Sequence, residues 1–409
     1  MGNQQDRVQQ LVSEAMCSPP SERVPCIGLQ FVSQNGESIA EAYGGSVLAS
    51  DPKAKQVNRD SVFWTASATK LVTAMAFLQC LEKSNIDIHS AEFVDTLLPE
   101  LKTLKVLRGF TADGSPILED QQTPITSRML ITHQAGMTYT FLNENLWRYV
   151  GHDYTKDENH DGTIKGYMHP LISQPGSGFV YSTGHDWIGI LIERHTGMKL
   201  GDYCKKHIFD PLGLENISFM PSHDMLSNLI SMHVRLANGD VRERKHLMRA
   251  AYGPNTGDDH QQSGGGGIFS TLPDFCQILA TILNDGLCAK TQSRILQKKS
   301  VDLLLTNQIE DFNIRYGNKE MPAANYEMVR PLPEPARPEL LPNRGFGFGV
   351  SLEGDGLERA YGVGLANTFW SLDREKGVAG IISSSIIPLN EPVVLDVWKQ
   401  AQEIMYSRS

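Results

Sequence analysis

Two side chains with complementary chemistry stand three residues apart in Phe63-Trp64-Thr65-Ala66-Ser67-Ala68-Thr69-Lys70. Ser67 offers a hydroxyl and Lys70 an amine. Residues 68–81 contain no Gly or Pro and consist of good helix formers, which predicts a helix. The run is apolar nearly all round, the pattern of a helix buried inside a large protein. Residues at i and i+3 share a helix face, so hydroxyl and amine can meet. Ser67 falls at the helix start, where unpaired backbone N–H groups and partial positive charge would receive developing negative charge. Burial disfavours the ammonium form and would make Lys70 a usable base for Ser67 as nucleophile. The competing reading is plain: Ser-x-x-Lys is a common tetrapeptide, and a Ser ahead of a helix is ordinarily an N-cap. A lysine opening an apolar helix nevertheless needs a partner or a purpose.

Three other stretches carry groups able to join this pair. In Gln174-Pro175-Gly176-Ser177-Gly178-Phe179-Val180-Tyr181-Ser182-Thr183, Pro-Gly marks a turn and Tyr181 closes a short apolar run ahead of a helix. A tyrosine there is normally a packed ring with a wet hydroxyl. Facing Ser67 and Lys70, its phenol would shuttle a proton. In Tyr361-Gly362-Val363-Gly364-Leu365-Ala366-Asn367, glycines inside a strand mark close approach of a ligand or backbone, or a bulge. Gly264-Gly265-Gly266-Gly267 lacks the Gly-Lys-Ser/Thr ending of a phosphate loop, so it reads as a tight loop before a helix capped by Ser270 or Thr271.

The elements that must position these groups follow from pattern. Residues 5–16 read as an amphipathic helix. Residues 26–33 and 37–43 read as strands joined at Asn35-Gly36, a strong hairpin signal. From about 86 to 284 the chain alternates helical segments (126–132, 185–196, 200–208, 272–284) with long loops. A Pro-rich stretch from Pro331 to Pro342 reads as a linker or extended loop. Strand patterns return at 346–352, 360–364, 368–372 and 378–386, and residues 392–406 end as a helix with Pro in its first turn. The expected fold class is α+β: an antiparallel sheet flanked by helices, built from residues 1–85 and 297–409, with 86–296 as a mostly helical insertion. The Ser67 helix would lie at the seam, where active sites tend to form.

Composition narrows the chemistry. A chain of 409 residues with 40% hydrophobic and 21% charged residues is ordinary for a globular protein. A net charge of −10 without a basic cluster argues against a nucleic-acid partner. No apolar run is long enough to span a membrane, and the N-terminus has no signal-peptide pattern. The six cysteines lack C-x-x-C pairing and read as free thiols of a reducing compartment, so a cytoplasmic location is expected. No G-x-S-x-G elbow occurs, which disfavours an α/β-hydrolase. No H-E-x-x-H occurs among the twelve His. Residues 157–162 match the first half of an EF-hand loop, but Met168 stands where the bidentate Glu belongs, so a solvated acidic loop is the simpler reading. No metal or cofactor is expected.

Taken together, Ser67-Ala68-Thr69-Lys70, Tyr181-Ser182-Thr183 and Gly362-Val363-Gly364 resemble the three-motif set of serine β-lactamases and penicillin-binding proteins, most of all the class C branch. Leu130-Ile131-Thr132-His133-Gln134-Ala135-Gly136 and Gly265-Gly266-Gly267-Ile268-Phe269-Ser270-Thr271 resemble two further segments of that branch. Ala66 to Lys70, Leu78-Gln79-Cys80, Tyr181 to Trp187 and Asn367 to Trp370 are similar to fungal transesterases. The resemblance implies the β-lactamase/transpeptidase-like fold. It implies Ser67 as acylated nucleophile, Lys70 and Tyr181 as the general base pair, and the N–H groups of Ser67 and Leu365 as oxyanion hole. Two departures bear on substrate. The third motif usually opens with Lys or His, and here with Gly362. Position 183 is Thr where β-lactamases usually carry Asn. Both argue against β-lactam or peptide carboxylates and favour an ester or thioester donor, such as an acyl-CoA, an acyl carrier protein or a polyketide synthase-bound thioester, with a small-molecule alcohol or amine as acceptor. Tyr139, Phe141, Trp187, Gly364, Leu365, Phe346 and Trp370 flank the motifs and are expected to line an apolar pocket. A plain esterase and a catalytically silent scaffold are the alternatives.

Overall fold

The principal sheet draws its strands from both ends of the chain. In the computed structural model, which describes residues 4–17, 19, 23–51, 53–152, 162–253, 256–257, 260–316, 323–331 and 343–406, helix α1 (Gln4–Cys17) leads into β1 (Cys26–Ser33) and β2 (Ser38–Gly45). Gly36 turns the hairpin at φ 78°, a conformation L side chains rarely adopt. The C-terminal part adds β3 (Arg344–Phe346), β4 (Ser351–Glu353), β5 (Arg359–Gly364), β6 (Thr368–Asp373) and β7 (Val378–Ser383). The order is β3-β4-β5-β6-β7-β1-β2, antiparallel throughout, with β7 against β1 closing the junction between the chain's two ends.

β1 is buried from Cys26 to Val32 because both of its faces are covered. On one face lie α1 and the C-terminal helix, residues Pro392–Tyr406, where Trp398 stacks on Phe31 with centroids 5.4 Å apart. On the other lies the helix Leu272–Leu283, so close that a Cβ on Gly28 would sit 2.8 Å from Leu272 Cδ1. This last helix falls within the expected 86–296 insertion yet packs on the sheet. The expected insertion therefore takes in the helix that covers one face of the sheet.

Helix α2 (Thr69–Lys83) belongs to the helical half. Its residues 69–80 are all buried, against α3 (Gly184–Thr196) and Phe348, whose ring stacks on Phe77 at 6.1 Å. All-round apolarity is what a helix enclosed on every side requires. α3 stops at Gly197, in the left-handed region at φ 71°.

Three expected elements differ. Residues 346–352 form no continuous strand: the chain turns at Gly347–Gly349, with Gly349 at φ 93°, so that Phe348 can enter the core. Residues 378–386 break after Ser383, where Ser385 takes φ 49°, and Ile386–Ile387 pairs instead in parallel with Met232–Arg235. The helix expected over 200–208 widens from α to π geometry at Lys205–Phe209. The stretch 332–342 and the acidic residues 157–161 lie outside the described residues.

Candidate active site

Ser67 is placed by a short strand rather than by a cap. Phe63–Trp64 pairs antiparallel with Phe269–Ser270. Trp64 Nε1 donates to Gly266 O (2.6 Å), and both the N–H and hydroxyl of Thr65 donate to Ile268 O at 3.0 Å. The chain then swings through Ala66 at φ 46°, an unusual conformation for a residue with a Cβ, into a tight 3₁₀ turn, Ala66–Ala68. Helix α2 starts only at Thr69, and the Ser67 hydroxyl caps nothing. Between Ser61 and Cys80, Ser67 alone is not fully buried.

Lys70 is 3% exposed and reaches back along the helix. Its ammonium nitrogen lies 3.1 Å from Ser67 Oγ, 2.7 Å from Tyr139 Oη and 2.8 Å from Gly265 O. The glycine run supplies that carbonyl because it is threaded between α2 and α3. Thr73 Oγ1 donates to Gly264 O at 2.7 Å, a Cβ on Gly264 would overlap His185 O, and a Cβ on Gly265 would overlap Asp186 Oδ2. Only glycine permits this approach, which is the reason for the run that no phosphate motif explained.

Tyr181 stands beside the amine with its ring centroid 4.8 Å from Nζ. Its hydroxyl has no hydrogen-bond partner among the described residues, whereas the hydroxyl in contact with Lys70 is that of Tyr139. Tyr139, expected as a pocket wall, is therefore a direct partner of the lysine. The Tyr181 segment is clipped in place: Val180 N–H donates to His133 O (2.9 Å), Thr138 Oγ1 to Tyr181 O (3.1 Å) and Ser182 N–H to His133 Nδ1 (3.2 Å). His133 and His185 are fully buried with ring centroids 4.9 Å apart. Burial, and then the Lys70 charge, hold the His133 imidazole well below its ordinary range. For His185 the causes are burial, then His133, then Lys70. His133 Nε2 and both His185 nitrogens have no hydrogen-bond partner among the described residues.

The glycine strand closes the other side. A Cβ on Gly364, the last residue of β5, would lie 2.7 Å from Thr65 O and 3.3 Å from Ala66 Cβ. This contact seats the start of the Leu365 loop against the Ser67 turn. Gly362 faces Trp370 across the ladder, and a Cβ there would overlap the indole. The Leu365 loop is pinned from behind by Asn367, which donates to Ile386 O and Pro388 O, both at 2.8 Å, and accepts from Glu391 N–H at 2.8 Å.

The other expected pocket residues divide. Phe141 stacks on Tyr139 at 5.2 Å. Phe346 stands behind His133 at 5.2 Å, in an aromatic group with Phe179 and Phe312. Trp187 and Trp370, at 0% and 2% exposure, are enclosed in the core rather than set in an accessible wall. Sequence reasoning passed over Asp186, His133 and His185 as site residues. Only His185 carried a local signal, a polar side chain on the inward face of an otherwise apolar helix; His133 lies in a loop at φ 57° and Asp186 in a helix first turn, where an acid is ordinary.

No cluster of three or more metal-ligating side chains occurs among the described residues, and no helix there is long and apolar enough to cross a membrane. A half-buried hydroxyl beside a buried amine, with a second phenol adjacent, is equipped for nucleophilic acyl chemistry.

The family model described as Beta-lactamase matches residues 27–402. An ML-236A carboxylate methylbutanoyltransferase of Penicillium citrinum is 28% identical over 95% of this chain and 91% of its own. A monacolin J acid methylbutanoyltransferase of Aspergillus terreus is 30% identical over 84% and 81%. A lovastatin esterase of Penicillium rubens is 31% identical over 90% of each. Among solved structures, a mutant simvastatin synthase from Aspergillus terreus superposes with TM-score 0.79 at 26% identity, covering 99% of this chain and 95% of that one. The chain belongs to the beta-lactamase family, with its β-lactamase/transpeptidase-like fold, and is an enzyme of acyl transfer.

Proposed function

We propose that Ser67 takes an acyl group from a thioester or ester donor and passes it to an alcohol or amine on a natural-product acceptor. The observation that carries this reading is the 3.1 Å approach of the Lys70 amine to Ser67 Oγ inside an otherwise buried helix start. Lys70 in its amine form accepts the hydroxyl proton as Oγ attacks the acyl carbon. The Ser67 and Leu365 N–H groups receive the oxyanion. Tyr181, whose hydroxyl has no partner among the described residues, carries the proton to the departing thiolate or alkoxide. The acceptor then enters, loses its proton along the same route and regenerates Ser67. The donor is an acyl-CoA, a carrier-protein thioester or a polyketide synthase-bound thioester. The names of the methylbutanoyltransferase relatives support a bulky polyketide alcohol as acceptor. Free cysteines fit a reducing, cytoplasmic setting.

The esterase relative supports a second reading, in which water takes the acyl group. Water stands at roughly 55 M, so transfer requires its exclusion or a well-oriented acceptor. Ser67→Ala should abolish labelling by a fluorophosphonate, and wild-type protein given an acyl thioester and an acceptor panel should yield more ester than free acid by mass spectrometry. Undiminished labelling of the Ala variant removes the nucleophile assignment. Free acid dominating with every acceptor replaces transfer by hydrolysis.

A further inference from the structure

Lys70 is a buried cation whose direct partners are all uncharged, and a buried cation without a counter-charge is costly. One carboxylate lies one residue further on. Asp186, 2% exposed in the first turn of α3, accepts from Ser263 Oγ at 2.6 Å and from Gly265 N–H at 3.0 Å, both on Oδ1. The Tyr167 hydroxyl is a further donor to this carboxylate. Gly265 carries the link onward, since its carbonyl accepts from Lys70 Nζ at 2.8 Å. A Cβ at Gly265 would overlap Asp186 Oδ2 and lie 2.9 Å from the Tyr139 hydroxyl that also holds Nζ. The glycine is thus wedged between the carboxylate and the lysine's own partner.

We propose that Asp186 is the counter-charge and positioning residue of Lys70, acting through Gly265. This deepens the reading of Ser67 and Lys70 as nucleophile and base, and rests on it. When the amine takes the Ser67 proton it becomes an ammonium in a water-poor interior, and a fixed negative charge one peptide away stabilises that state without moving. The carboxylate takes no part in the transfer itself; the proton passes from Ser67 Oγ to Nζ and later to the leaving group. Burial, the largest influence, holds the Asp186 carboxyl above its ordinary range, while Lys70, Ser263, the Gly265 N–H and Tyr167 draw it back down. The titratable groups gathered around the pair are Tyr139, Tyr167, Tyr181, His133 and His185. Both histidines are held neutral by burial and by the Lys70 charge.

The test is the pH dependence of Ser67 acylation by a p-nitrophenyl ester in Asp186→Asn, which keeps the shape and removes the charge. The acid limb of the rate profile should move to lower pH by at least about one unit, the lower end of what a nearby opposite charge does to a titrating group. A purely structural Asp186 would scale the rate equally at all pH and leave the limb in place. A folded variant, verified by circular dichroism, whose limb stays or moves to higher pH overturns the proposal. If the Asn variant does not fold, Tyr167→Phe replaces it: with one donor fewer the carboxylate is protonated more readily, so the limb must move the same way, and superposition on wild type overturns the proposal. Ser67→Ala run alongside separates the two claims. Labelling of that variant sinks the acyl-serine reading, whereas its silence with an unmoved Asp186→Asn limb sinks only this one.

Discussion

Among the described residues two cations are buried, and in opposite ways. Arg235 meets the Glu391 carboxylate directly at 2.9 Å, with Arg330 on the same carboxylate at 3.5 Å, and also donates to Gly239 O and Arg23 O. Lys70 touches a serine hydroxyl, a phenol and a backbone carbonyl, and its carboxylate stands one residue away. The first arrangement locks a charge that never changes, and it ties the segment before the C-terminal helix to the rest of the fold. The second leaves a charge free to come and go. A directly paired lysine would stay an ammonium and could not accept a proton from Ser67.

The contrast can be broken experimentally. The largest effect expected is on folding: Glu391→Ala takes the facing carboxylate away from the buried Arg235 guanidinium and should lower the unfolding free energy by about 3–5 kcal/mol in a denaturant titration. Lys70→Met should destabilise less than Glu391→Ala, because the Asp186 carboxylate it leaves behind keeps its hydrogen bonds from Ser263, Gly265 and Tyr167, yet turnover should fall about a hundredfold or more. If Lys70→Met unfolds the protein as severely as Glu391→Ala, the two cations are not different in kind. A smaller effect separates the two phenols. Tyr181→Phe should cost about two orders of magnitude in kcat and be strongly non-additive with Lys70→Met. Tyr139→Phe, which removes one hydrogen bond to the amine, should cost only about tenfold. Equal losses would assign the proton shuttle to both.

The smallest effect concerns pH and stability. His133, His185 and His246 are buried, the last pushed down to about 3 from an ordinary 6.5. A histidine with a depressed folded value binds its proton more readily in the unfolded chain. Its contribution is therefore complete above about pH 6.5 and is lost as pH falls below it, at up to about 1.4 kcal/mol per pH unit for each group. The unfolding free energy should decline between pH 7 and 5, and His185→Phe should flatten that decline. A slope unchanged in the variant would mean that His185 is already protonated in the fold.

Much of this was legible in the sequence because local pattern and global fold agree. The hairpin at Asn35-Gly36, the all-apolar α2 and the helix Pro392–Tyr406 are local features, and the structure places them within a residue or two of expectation. The misses are of another kind. The strand expected over 346–352 is turned by the demand of one side chain, Phe348, for a core position beside Phe77. Tyr139 reads as one aromatic among several, because nothing within its own segment reveals that a lysine 69 residues away points at its hydroxyl. Asp186 sits in a helix start, where an acid is unremarkable. Its significance arises only when the glycine run is laid between two helices. Spacing within one helix is readable; apposition of three separate segments is not.

Trp370 fixes which side chains position 362 can carry. Its indole occupies the space that any side chain at position 362 would need. A Gly362→Lys substitution alone, which would restore the cation of the usual third motif, therefore meets the indole before it meets a carboxylate. Placing a cation at 362 requires a smaller side chain at 370 as well. The two positions are coupled: a side chain can stand at 362 only if the indole at 370 gives way.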